Sequence, residues 1–226
     1  MDYIPLKRIS IQVSLSGYSF KLSDSGKISS ESGWKSLDEA SSDVLSAEDA
    51  AGAELSFMTP KVSLVPSAFF DAAEAKSILS RTVALGEGDE VRHVSLPEYS
   101  AELLYSLSGG EAALASVMDG MRLPAGCAAL PEMYFILKAI REVGEYNRIV
   151  ASYADGHLYL AISQGSNLLL SNVFEAADFT TAEYFIFLAV KKLQLNPEVS
   201  TICFRTPLSD AEEMSLYRYF KGVERL

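Results

Sequence analysis

Apolar residues at Ile9, Ile11, Val13 and Leu15 alternate with polar ones, Ser16-Gly17 interrupts the run, and Tyr18 to Leu22 resumes it before Ser25-Gly26. Alternation of period two bounded by Ser-Gly turns predicts a half-buried antiparallel meander. From Lys35 to Gly52 the chain is rich in Ser, Asp, Glu and Ala, which predicts a loop leading into a weak helix. Lys61 to Val65 reads as a short buried strand closed by Pro66, after which Ser67 is expected to cap a helix running to about Arg81. Phe69, Phe70, Ala73 and Ile78 are that helix's candidate core contacts. Glu98 to Leu107 returns to strand character, and Ser108 with Glu111 has the spacing of a capping box for a helix over 110–121. Pro131 is placed to open a further helix at its first position, with Gly144 stopping it.

A second meander follows: Arg148 to Tyr153, a turn at Asp155-Gly156, His157 to Ser163, a turn at Gln164-Gly165, and Leu168 to Phe174. Asp-Gly between alternating runs is a strong hairpin signal. Thr180 and Glu183 have capping-box spacing, and the helix they would open is apolar on most sides through Leu195 and ends at Asn196-Pro197. Such a helix has to be covered on most sides. Thr201 to Phe204 predicts a buried strand, and Ser209 with Glu212 caps the last helix. The two halves thus repeat one order of elements: meander, helical segment, short strand, capped helix. Gly17 and Gly156, Gly26 and Gly165, and Asp71 and Asp210 share an offset of 139 residues. Duplication and a coincidence of common turn residues both explain that offset. The second meander's start sets the expected lobes at 1–145 and 146–226.

Charge narrows the partners. The formal net charge of −11 disfavours phosphate backbones and anionic membranes, which reward a positive patch. Lys191-Lys192 stands where a helix would end, a position that favours cations without any ligand. The amino terminus lacks the apolar stretch of a secretory signal, and Tyr184 to Val190 is too short to span a bilayer, so a cytoplasmic location is expected. Cys127 and Cys203 lack the spacing of a redox pair or a metal knuckle.

Three stretches carry a family resemblance: Ile11 to Phe20, Lys61 to Phe70, and Ser171 to Phe174 with the aromatic helix after Glu183. With the repeated element order, they resemble an uncharacterised bacterial family of short two-lobed proteins within the actin-like ATPase superfamily. The resemblance implies an α/β fold of two ribonuclease H-like lobes, each a mixed sheet with packed helices. Its motifs are packing residues, specific for fold and silent on chemistry.

The superfamily also implies where chemistry would sit. Each meander's first turn carries an Asp and glycines, so that backbone N–H groups and a metal-bound carboxylate hold phosphates. Here the first such turn is Ser16-Gly17, without a carboxylate, and the second is Asp155-Gly156, followed by bulky residues. The glycine-rich adenosine loop is matched by Phe204-Arg205-Thr206-Pro207, which has no glycine. No Gly-x-Ser-x-Gly elbow or P-loop appears, and His93 and His157 lack metal-site spacing. Ser16, Gly17, Asp155 and Gly156 are therefore read as degenerate loop positions, with no catalytic residue, cofactor or metal expected. Two functions remain open ahead of a third, a small-molecule enzyme whose site lies between the lobes and leaves no motif. One is a pseudoenzyme: a non-enzymatic actin-like scaffold that binds a protein partner or itself, as similar members of the superfamily do in pilus and secretion machinery. The other is a nucleotide-binding ATPase or phosphotransfer enzyme using Asp155.

Overall fold

The structure, a computed structural model, describes residues 7–24 and 27–226; the expected Ser25-Gly26 turn lies outside them. Along the chain run β1 (Lys7–Val13), β2 (Tyr18–Asp24), β3 (Lys27–Glu31), α1 (Ala47–Ala51), β4 (Ala53–Phe57), β5 (Val62–Pro66), α2 (Ala75–Leu79), β6 (Arg92–Leu96) and β7 (Ala101–Tyr105). They continue with α3 (Glu111–Gly120), β8 (Leu130–Pro131), α4 (Glu132–Glu142), β9 (Asn147–Ala154), β10 (His157–Gln164) and β11 (Asn167–Glu175). The last are α5 (Phe179–Lys192), β12 (Thr201–Phe204), α6 (Asp210–Tyr217) and β13 (Gly222–Arg225). The chain forms two compact units, one of residues to Met58 with Gly109–Leu130, the other of Thr59–Ser108 with Pro131–Leu226.

The first unit is built on a mixed sheet ordered β3-β2-β1-β4-β8. β1 lies antiparallel to β2, with Ile9 opposite Leu22 and Val13 opposite Tyr18, and parallel to β4, with Val13 opposite Phe57. Ile9, Ile11, Val13, Leu55 and Phe57 are buried, and α3 adds Ala113, Leu114 and Val117 to the unit's core. Two glycines permit close packing here. A Cβ on Gly110 would stand 2.1 Å from the Phe57 ring, and one on Gly120 would stand 2.6 Å from the Ala40 side chain.

The second unit carries a sheet ordered β11-β10-β9-β12-β13 and a small antiparallel sheet ordered β5-β7-β6. β9, β10 and β11 form the meander, and β12 runs parallel to both β9 and β13. All four residues of β12 are buried, as expected of a parallel strand covered on both faces. Ile149, Leu158, Leu160, Ile162, Ile202 and Phe204 pack with Ile186 and Val190 of α5 and Leu216 of α6 into one core. Burial at about 25 cal/mol per Å² makes such a cluster the dominant stabilising term.

Several expectations are corrected. The helix from Ser67 to Arg81 is broken into two short 3₁₀ turns and α2, because Phe70 and Asp71 are extended; Asp71 then caps the second turn by accepting from the Ala73 amide at 2.9 Å. Phe69 is 79% exposed, not a core contact. Ser108 does not cap α3: its hydroxyl accepts from the Glu90 amide, while Glu111 accepts from the Gly109 amide. Asp178 rather than Thr180 caps α5, accepting from the Thr181 amide at 2.7 Å. α5 is covered on most sides, as expected, but keeps one open strip at Thr180, Tyr184, Lys191 and Lys192, with Tyr184 60% exposed. Leu15 lies past the end of β1 and is exposed, and β6 and β13 are strands the hydropathy pattern did not single out. The meanders, the Ser209–Glu212 capping box and the buried strand at Thr201 are as expected.

Candidate functional site

Each meander turn offers backbone groups that could meet a phosphate, so the partners of those groups decide what it can do. After β1, the Ser14 amide donates to the Gly17 carbonyl at 2.8 Å, closing a tight turn. Within it the Ser14 hydroxyl oxygen accepts from the Gly17 amide at 3.1 Å and from the Ser16 amide at 3.3 Å. The two amides thus converge on a side chain of their own turn instead of facing outward. Gly17 is needed for a different reason: its Cβ would lie 2.4 Å from the Lys35 carbonyl oxygen, because the chain at Tyr18 bridges to Lys35. Behind the turn, the buried Tyr18 donates its hydroxyl to Asp43, which also pairs with Lys35, both at 2.5 Å. Burial, then the Asp43 carboxylate, hold the Tyr18 hydroxyl above its ordinary range.

In the other unit, Asp155 and Gly156 adopt φ of 47° and 70°, the left-handed pair of a type I′ hairpin. The Gly156 carbonyl accepts from the Ala176 amide at 2.8 Å, and His157 Nδ1 lies 2.7 Å from the Asp155 carbonyl. Ser16-Gly17 and Asp155-Gly156 thus belong to different units, and each closes a hairpin.

The stretch after β12 continues into the core. The Arg205 amide donates to the Ala151 carbonyl at 2.9 Å, and the Thr206 hydroxyl accepts from the Tyr153 amide at 2.9 Å. Arg205 pairs with Glu132 at 2.5 Å and lies over the Phe135 ring at 5.2 Å, and Ser152 donates to the same Glu132 oxygen at 2.7 Å. Glu132 is fully buried. Hydropathy did not reveal this network; the signal present was a charged residue directly after each of two apolar segments' boundary positions, Pro131 and Phe204.

Other chemistry is sparse among the described residues, where no cluster of three or more His, Cys, Asp or Glu could hold a metal ion. His93 contacts Glu102 at 3.1 Å and packs on the Phe70 ring. Burial pushes the Cys203 thiol up to about 12 and raises Cys127 as well, so neither is a ready thiolate. A cleft of about 210 Å³ in the second unit is lined by β5 and β11, with Met133 and Thr82 at its walls. It has hydroxyl and amide groups from Ser63, Ser171 and Asn172 but no charged side chain. No helix among the described residues is long and apolar enough to cross a membrane.

A family model described as a protein of unknown function (DUF3822) matches residues 13–223, and the chain belongs to that family. Among curated proteins nothing matches. A solved Bacteroides thetaiotaomicron protein with actin-like ATPase fold and unknown function is similar at a TM-score of 0.63 and 17% identity, over 97% of this chain and 90% of that one. A PilM-PilN type IV pilus biogenesis complex is similar at a TM-score of 0.51 and 12% identity, over 98% of this chain and 88% of that one. At these identities the likeness establishes the fold: this is an actin-like ATPase fold.

Proposed function

We propose that this family member is a non-enzymatic actin-like scaffold, a pseudoenzyme whose nucleotide site has decayed and which works by binding a protein, either a partner or a second copy. The observation that carries the reading is the Ser14 hydroxyl, which occupies the amides of the first meander turn that a phosphate would need. The Phe204–Pro207 stretch supports it from the other unit, since Arg205 and Thr206 there are committed to Glu132 and to the β9 backbone. The solved PilM-PilN complex supports a protein-binding role, being a similar fold engaged with another protein. On this reading the lobes follow chain order as residues 1–145 and 146–226, each with its own five-stranded sheet, although residues 59–108 and 131–145 pack within the second compact unit; no cofactor or nucleic acid is bound, and the protein works in the bacterial cytoplasm.

The rival reading, an ATPase or phosphotransfer enzyme, requires Asp155 to hold a phosphate-bound metal. Isothermal titration calorimetry with ATP at millimolar magnesium separates the two. No heat of binding is expected. A micromolar dissociation constant that Asp155→Ala abolishes would overturn the scaffold reading.

A further inference from the structure

The edge of a sheet presents a row of amides and carbonyls that can template a further strand, and proteins blunt such edges with charge, proline or brevity. Most edges of this chain are blunted. β6 carries Arg92 and His93, β13 carries Glu224 and Arg225, β3 ends on Glu31, and β8 is two residues long and ends on Pro131. The β5 and β11 edges differ. β11 is nine residues long without a charge from Asn167 to Phe174, and β5 has no charge and places its one proline at its end.

The strand register fixes which backbone groups these two edges turn outward, because opposed residues of an antiparallel pair alternate between hydrogen-bonded and non-bonded pairs. Beside β5, the Ser106 amide donates to the Lys61 carbonyl at 3.0 Å and the Ser67 amide to the Ser100 carbonyl at 2.8 Å. The bonded pairs with β7 therefore fall on the odd positions of β5, and Val62 and Leu64 turn their backbone away from it. The Val62 amide goes to the Pro60 carbonyl at 2.9 Å, which leaves the amide and carbonyl of Leu64 open. Beyond the end of β11, the Ala176 amide donates to the Gly156 carbonyl at 2.8 Å, so the bonded pairs with β10 fall on even positions. Ser171 and Val173 thus turn their amides and carbonyls out of the sheet. Leu64, Ser171 and Val173 all line the cleft of about 210 Å³, which lies within the second unit.

We propose that this cleft takes an extended, uncharged segment of a partner protein as an added strand, hydrogen-bonded to Ser171 and Val173 on the β11 edge and to Leu64 on the β5 edge. Alternating amides and carbonyls two residues apart are the complement of another strand's backbone, whereas an anion would use only the amides and a cation only the carbonyls. The cleft has no charged side chain, so a charge carried into it would lose water without compensation. Val83, Leu103 and Met133 give the segment's side chains apolar contact. This rests on the scaffold reading and states the chemistry of the partner's docking segment.

The test is selection of a phage-displayed library of random nine-residue peptides against the full chain, with the affinities of selected peptides measured by fluorescence anisotropy. Enrichment of uncharged sequences is expected. Methylating every second backbone amide of a selected peptide, in one or other of the two alternate sets, should weaken binding at least tenfold. Ser171→Pro should do the same. Its amide points out of the sheet at an edge, where proline is tolerated, and a thermal melt verifies the fold. If that variant does not fold, the methylated peptides decide alone. No enrichment, or enrichment of charged sequences, overturns the proposal, as do peptides indifferent to both Ser171→Pro and methylation. None of these outcomes alters the ATP titration, so loss of the docking cleft and loss of the scaffold reading are told apart.

Discussion

Glu132 and Arg205, 73 positions apart in the chain, form an ion pair in which the carboxylate is fully buried and the guanidinium nearly so. Ser152 donates to the same carboxylate oxygen, and the Phe135 ring covers the guanidinium. Removing one partner of a buried pair strands the other charge away from water. Arg205→Met and Glu132→Leu are each expected to cost about 3–5 kcal/mol in urea melts. The double variant should lose much less than the two costs added, since it strands no charge. Additive losses would show that the pair is not closed from solvent.

Gly17→Ala is expected to destabilise the protein by about 1–3 kcal/mol, the range for forcing atoms into a packed site, because its Cβ would meet the Lys35 carbonyl. Gly126→Ala, where nothing lies within 4 Å of the added carbon, is the control and should leave the midpoint unchanged. Equal melts for the two would mean that the bridge between Tyr18 and Lys35 opens at no cost.

Around Asp43, burial would raise the carboxyl, but the Lys35 ammonium and the Tyr18 hydroxyl outweigh it and hold the group below its ordinary value. A carboxyl held low in the folded protein contributes stability above its unfolded value, about 4, and loses it as pH falls through the folded value. Asp43→Asn is therefore expected to flatten the decline of the thermal midpoint on the acid side of about pH 4. An unchanged slope would remove Asp43 from the acid response.

At the start of α5, Asp178→Ala should lower the thermal midpoint, since its carboxylate takes the Thr181 amide, whereas Thr180→Ala should leave it unmoved. The reverse ranking would restore the capping box read from the sequence.

Phe187→Ala is expected to cost about 1–3 kcal/mol in chemical denaturation, less than the 3–5 kcal/mol of a fully enclosed aromatic, because the ring is only half-buried against Tyr219 and Phe220. A loss at the upper end of the enclosed range would mean that α5 has no open face.

Local chemistry was legible in the sequence wherever a residue answers to its own neighbours. Alternation placed the meanders, Asp155-Gly156 announced a type I′ turn, and the Ser209 box capped α6, because backbone twist and capping act over three or four residues. The pattern also showed that α5 is unusually apolar. Only the tertiary structure decided which of its sides meets the sheet and that Tyr184 is left in solvent. It decided likewise that Ser108 would serve Glu90 instead of α3, and that the amides of Ser16 and Gly17 would turn onto Ser14. The Glu132–Arg205 pair was beyond any local reading: it joins the first residue of α4 to the residue after β12, and no periodicity relates them. Propensities fix what a segment can become, whereas burial and pairing across long loops choose among donors and acceptors that are locally equivalent.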